Sequence, residues 1–226
     1  MSDIASDIGI MGRPIRLRSD SIQTQAKLVS VAERLFAVHG IDGVSLSEIN
    51  RAAEQGNNSA LHYHFGSKQG IFDAIFEKHA ARLAADVRES LAKLPTNPTP
   101  REVVACIVDP LARRLDDEDG GAAYLRIMSQ AQANPTQDLF KRIIDGRIPE
   151  AFEPFQALFL SLCPTLPPGA QIRRFTLGSS VMFLGLSEIA NYEDRKPEAK
   201  DRRVERVEEL VDSLTGLLTA PSTVWG

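Results

Sequence analysis

Residues Ser45 to Phe72 read SLSEINRAAEQGNNSALHYHFGSKQGIF, and the order of caps, apolar positions and breakers in this stretch decides the fold. Ser45-Leu46-Ser47-Glu48 is a capping box, in which the serine oxygen accepts from the Glu48 N–H and the carboxylate reaches back to the Ser45 N–H. A helix is therefore expected from Leu46, with Ile49, Ala52 and Ala53 on its inner side. Gln55-Gly56-Asn57-Asn58 breaks it with residues that tolerate positive φ and cap a following helix. Ser59 to Phe65 makes a second helix of barely two turns, and Ser67 caps a third. Short helix, turn, short helix is the layout of a helix-turn-helix, whose second helix enters the major groove of duplex DNA.

Outward from this core the chain remains helical. A first helix is expected from Ile22 to His39, with Leu28, Val31, Ala32, Leu35 and Phe36 inward and Gly40 as its stop. The helix that begins at Ser67 keeps Ile71, Ile75, Ala81, Leu83, Val87 and Leu91 on its apolar side until Pro95. Its length is roughly 39 Å, enough to link two domains. Beyond Pro95, Pro98 and Pro100 come helical stretches at Glu102–Leu115, Ala122–Ala133, Thr136–Leu162 (interrupted by Pro149 and Pro154), Gln171–Ala190 and Asp201–Leu218. An acidic loop, Asp116 to Gly121, separates the first two. The last helix sets Val204, Val207, Leu210, Val211, Leu214 and Leu218 against a densely charged face. The expected class is all-α, divided as an arm (1–20), a helix-turn-helix domain (21–66), a connecting helix (67–94) and a larger helical domain (95–226).

Leu61-His62-Tyr63-His64-Phe65, followed by Gly66-Ser67-Lys68, resembles the signature of the tetracycline-repressor-like (TetR) family. Leu28, Ala32, Leu35-Phe36 and Gly40 resemble that family's first helix, so the likeness runs from about Ile22 to Phe76. The interval from Ile49 to Phe65 is one residue longer than is usual there. The turn also has Glu54-Gln55-Gly56-Asn57 near the place of the common alanine-glycine-valine-serine, which leaves base contacts in the turn open. The resemblance implies a three-helix DNA-binding domain followed by a larger helical ligand-binding and dimerisation domain. It further implies a homodimer through the two C-terminal helices, a double-stranded DNA operator with palindromic symmetry and a small-molecule effector.

Composition agrees with such a division of labour. The chain has a formal charge of −4, but residues 11–69 carry seven Lys/Arg against five Asp/Glu, which leaves the acidic balance to the rest. A mildly basic head on an acidic body suits a protein that touches phosphate with one end. The two cysteines, Cys106 and Cys163, form no metal or redox motif, and all four histidines fall within the first 79 residues. No GxSxG, phosphate-binding loop, GxGxxG or HExxH motif occurs, so no enzyme, cofactor or metal site is expected. The start of the sequence has acids before its arginines and no long apolar run, and the cytoplasm is the expected compartment, with no membrane partner.

DNA binding needs phosphate contacts for affinity and base-edge contacts for specificity. By resemblance, Ser45, Tyr63, His64 and Lys68 match positions that grip phosphates. Asn57, Asn58, Ser59 and His62 lie at or near the exposed start of the recognition helix, where asparagine can read adenine or simply cap the helix. Ala60 could touch a thymine methyl, whereas Leu61 and Phe65 belong to the core. In the body, Tyr124, Met128, Phe152, Phe155, Phe159, Met182 and Phe183 could line an apolar effector cavity. A solid core has the same composition, and the resemblance alone favours the cavity. Arg126, between Leu125 and Ile127, would meet an effector's acid group or form a structural ion pair. The leading reading is a homodimeric repressor released from its operator by a small apolar or amphipathic effector. An activator or partner-controlled regulator of the same fold, and a small-molecule-binding or enzymatic helical protein with a non-functional head, are the alternatives.

Overall fold

The structure, a computed structural model, describes residues 14–54, 59–133 and 153–223. Its helices are α1 (Pro14–His39), α2 (Leu46–Ala52), α3 (Ser59–Phe65), α4 (Lys68–Ala92), α5 (Pro100–Ala112), α6 (Gly121–Ala133), α7 (Glu153–Ser161), α8 (Pro168–Arg195) and α9 (Arg203–Thr219). Short 3₁₀ turns at Arg113–Asp116 and Pro197–Arg202 lead into α6 and α9. Among the described residues there is no strand, so the all-α expectation holds. The stretch 134–152, most of the expected Thr136–Leu162 helix, lies outside the described residues.

The first helix differs from expectation at its start. It begins at Pro14, well before Ile22, and so takes in the end of the segment read as an arm. Proline at a helix start loses no hydrogen bond, and its fixed φ already suits the helix. Gly40, at φ +78°, ends α1 as expected, with its N–H on the Phe36 carbonyl at 3.0 Å. Leu28, Ala32 and Phe36 of α1 meet Ile49 and Ala53 behind α2, Leu61 of α3 and Ile71, Phe72 and Ile75 of α4, all buried. Leu35 and Phe65 are half-buried and pack on this group.

On α4 the buried stripe runs Ile71, Ile75, His79, Leu83, Val87, one residue every turn, and Ala80 joins it. Ala81, expected on this side, is exposed, because the four-residue step from Ile75 falls on a histidine. The stripe continues into the body, where Val104, Ile107 and Leu111 of α5, Tyr124, Leu125 and Met128 of α6 and Met182, Phe183 and Leu186 of α8 extend the same apolar cluster. The last helix contributes Val207, Val211, Leu214 and Leu218 to it. Val204, expected on that stripe, is exposed and lines an open groove with Asp109 and Arg113. Small residues on α8 allow close approach: a Cβ at Gly178 would lie 2.8 Å from Leu218 Cδ2, and one at Gly185 would lie 2.6 Å from Leu210 Cδ1.

Candidate nucleic-acid interface

The cap at Ser45 has the geometry its sequence predicts. Ser45 Oγ accepts from the Glu48 N–H at 3.2 Å, and the Glu48 carboxylate takes both the Ser45 N–H and the Ser45 hydroxyl at 2.7 Å. Those hydrogen bonds, the backbone one foremost, hold the Glu48 carboxyl below its ordinary value. Ser45 is exposed, so the residue that starts α2 also faces solvent at a helix amino terminus, where N–H groups and the helix dipole favour an anion.

The end of α2 is described as far as Glu54. Ala53 caps the helix, and Glu54 follows at φ +54°, in the left-handed region where glycine is the usual occupant. Lys27 on α1 holds the Glu54 carboxylate at 3.4 Å, both groups largely exposed. Asn57 and Asn58 lie outside the described residues, as do the side chains of Ser59, Ala60 and His62 on α3.

On the rest of α3 the side chains divide sharply. Leu61 is fully buried, while Tyr63 is 84% exposed, its ring edge-on to His64 with 5.2 Å between centroids. His64 is half-buried and tilts toward Phe65. Gly66, at φ +68°, reverses the chain, and Ser67 caps α4 by accepting from the Gly70 N–H at 3.2 Å. Lys68, the first residue of α4, donates to the Asp42 carbonyl at 3.2 Å. That bond places its ammonium beside the loop that precedes Ser45. Ser45 and Lys68 thus lie at neighbouring helix starts, and Tyr63 protrudes from the helix between them.

The residues read as effector contacts are deep in the body. Tyr124, Met128, Phe159, Met182 and Phe183 are all buried in the continuous apolar cluster, with Phe159 edge-on to Phe175 at 5.3 Å. Phe152 and the side chain of Phe155 lie outside the described residues. Burial pushes the Tyr124 phenol well above its ordinary value, and among the described residues its hydroxyl has no hydrogen-bond partner. Tyr124 stacks on His79 at 4.5 Å, and His79 in turn meets Glu33 on α1. The sequence alone assigned Glu33 and His79 no role; the available signal was the histidine on the apolar step of α4. Arg126 makes a structural pair with α8, its Nε on Asn191 at 2.8 Å and its guanidinium on Asp194 at 2.5 Å. Among the described residues no three His, Cys, Asp or Glu side chains are grouped to hold a metal, and no helix is long and apolar enough to cross a membrane. Cys106 and Cys163 are free and buried, and burial raises both thiols.

Comparison with known proteins matches both ends of this arrangement. Residues 28–75 match the tetR family of bacterial regulatory proteins, and residues 105–220 match the tetracyclin repressor-like C-terminal domain. Over 83 residues the chain is 30% identical to the HTH-type transcriptional regulator AcrR of Shigella flexneri, which is 37% of this chain and 38% of that protein. Over 69 residues it is 30% identical to the HTH-type transcriptional repressor AcnR of Corynebacterium efficiens, covering 30% of this chain and 36% of that one. These matches thus span little more than a third of the curated relatives. Among solved structures, the fatty acid degradation regulator FadR from Bacillus halodurans has a similar fold, with a TM-score of 0.50 and 16% identity over 88% of this chain and 96% of that one.

Proposed function

The chain belongs to the tetR family of bacterial regulatory proteins, which are DNA-binding transcriptional regulators, and on that footing we propose that it is a homodimeric repressor released from a palindromic operator by a small apolar or amphipathic effector. The observation that carries the DNA-binding part is the contrast on α3. A tyrosine 84% exposed on a seven-residue helix contributes little to packing there, and in chain order that helix lies between the exposed Ser45 and a Lys68 tied to the loop before Ser45. An aromatic hydroxyl, an ammonium and a hydroxyl at a helix start are the donors that phosphate oxygens accept from. In this reading Ser45, Tyr63, His64 and Lys68 position the head, while Asn57, Asn58, Ser59, Ala60 and His62 face base edges.

Two-fold pairing is supported by α8. Leu177 and Leu184, two turns apart, are large apolar side chains each left 55% exposed among the described residues. Self-association of α8 and α9 would cover them and set two recognition helices about one turn of DNA apart. The effector would enter among Tyr124, Met128, Phe152, Phe155, Phe159, Met182 and Phe183. A ligand that prefers the non-binding state by about 2.7 kcal/mol would weaken operator affinity roughly a hundredfold. The name of the AcnR relative, a repressor, favours repression over activation. Footprinting on the DNA that flanks the protein's own gene, repeated with candidate metabolites, tests the proposal. A symmetric protected site that a metabolite abolishes is the expected result, and the absence of any protected site at low salt would refute it.

A further inference from the structure

The acidic turn before α6 is docked on α4. Lys78 Nζ lies 2.9 Å from the Asp119 carboxylate and donates to the Asp119 carbonyl at 2.7 Å. Arg82 reaches Asp117 at 3.4 Å, and Asp117 accepts the Asp119 N–H at 3.0 Å, which shapes the turn. Into this junction α1 sends Glu33, only 1% exposed. One carboxylate oxygen is 2.8 Å from Lys78 Nζ and the other 2.5 Å from His79 Nε2. Gly120, at φ +91°, presses on the carboxylate from the turn, where any Cβ would collide with it. Tyr124, one turn into α6, stacks on the other side of the arrangement against the His79 ring.

A buried carboxylate is tolerated only while its charge is met by partners of good geometry. Burial works against the Lys78 ammonium, but its hydrogen bonds to Glu33 and Asp119 outweigh that and raise it above its ordinary value, so the cation is kept. Apolar helix contacts tolerate small sliding, whereas a carboxylate gripped from two sides does not, because displacement leaves a buried charge unmet. Three elements meet on this one group: α1, which carries the DNA-reading head, α4, which leaves it, and the turn that starts α6 of the body.

The geometry points to Glu33 as a positioning residue that couples the body to the head by fixing the tilt of α1 against α4 and the 117–121 turn. This rests on the regulatory reading above for its consequence, but the clasp itself is testable without DNA. In the full-length chain, Glu33→Gln keeps the shape and removes the charge. Hydrogen exchange should then rise about tenfold in peptides covering 27–39, 75–82 and 117–124, while 203–219 keeps its rate. Lys78→Met, at a partly exposed cation, should give the same pattern and carries the test if Glu33→Gln does not fold. The double variant should be no looser than either single one, as expected of two groups in one interaction. Affinity for the DNA fragment protected in footprinting should fall about tenfold in both variants, since the two heads lose their fixed posture. An even rise in exchange that includes 203–219, additive effects in the double variant, or unchanged DNA affinity in a loosened chain would overturn the coupling. If the exchange pattern appears but the unaltered chain binds no duplex, the clasp stands and the regulatory reading fails.

Discussion

Leu61 and Tyr63 sit two residues apart on α3 and point to opposite sides of it, the first fully buried and the second almost bare. Two steps of a helix turn the side chain through about 200°, so one short helix serves the core and the solvent at once. Leu61→Ala should lower the unfolding free energy by about 2–5 kcal/mol, through lost burial and the cavity left behind. Tyr63→Ala should leave thermal stability within about 0.5 kcal/mol and weaken DNA binding. Thermal melts and fluorescence anisotropy on the same preparations separate the two.

Lys68 and Asn58 should differ in kind. If Lys68 grips phosphate as proposed, Lys68→Ala should weaken binding to every sequence and lower the salt slope by about one. Asn58→Ala should instead relax preference at one base position, by roughly 1–3 kcal/mol. Titrations at several salt concentrations against a panel of single-base operator variants would show the difference.

Glu54 occupies left-handed backbone, which disfavours any residue with a Cβ by roughly 1–2 kcal/mol. Its exposed pair with Lys27 returns about 0–1 kcal/mol at most. Glu54→Gly is therefore expected to raise the melting temperature slightly, despite the flexibility glycine adds to the unfolded chain. A fall would show that the Lys27 contact matters more than the backbone does.

Two glycines of the C-terminal helices should respond oppositely to alanine. At Gly216 on α9 a Cβ meets nothing within 4 Å, so Gly216→Ala should stabilise by about 0.5–1 kcal/mol. At Gly178 the added carbon meets Leu218 at 2.8 Å and the Phe159 ring at 3.2 Å, both in the core. Overpacking of about 1–3 kcal/mol outweighs the helix-propensity gain there, and Gly178→Ala should melt earlier. Differential scanning calorimetry gives both signs.

Acid should act through Asp116, whose carboxyl is held below its ordinary value by the hydrogen bond from Arg203 at 2.5 Å. A carboxyl lowered on folding adds stability that is present above its unfolded pKa and is lost as pH falls through its folded pKa. Asp116→Asn should therefore lower the urea midpoint near neutral pH, and its difference from the unaltered chain should close toward about pH 3. The carboxylate is largely exposed, so the effect is small and shrinks with added salt.

The capping box at Ser45 and Glu48 and the bounds of α3 were legible because caps and turns are local, written within four or five residues. The start of α1 was not, since Pro14 beside glycine and arginine reads equally as a breaker or as a first helical residue. The Glu33 and His79 contact spans 46 positions and joins two helices that no local pattern relates, although the four-residue step from Ile75 marked His79 as an inward position. Tyr124, Met128 and Phe159 were recognisable as interior, but a wall and a filled core draw on the same side chains. Val204 was misplaced because it falls in the first turn of α9, beside an open groove rather than beneath α8.

Among the described residues one apolar cluster begins at Leu28 and reaches Leu218, joining the first helices to the last. Heating should consequently show a single cooperative endotherm, and excising the first three helices should strip Ile71, Phe72 and Ile75 of their cover. On the regulatory proposal, a signal through such an architecture would travel as a rigid swing of intact rods.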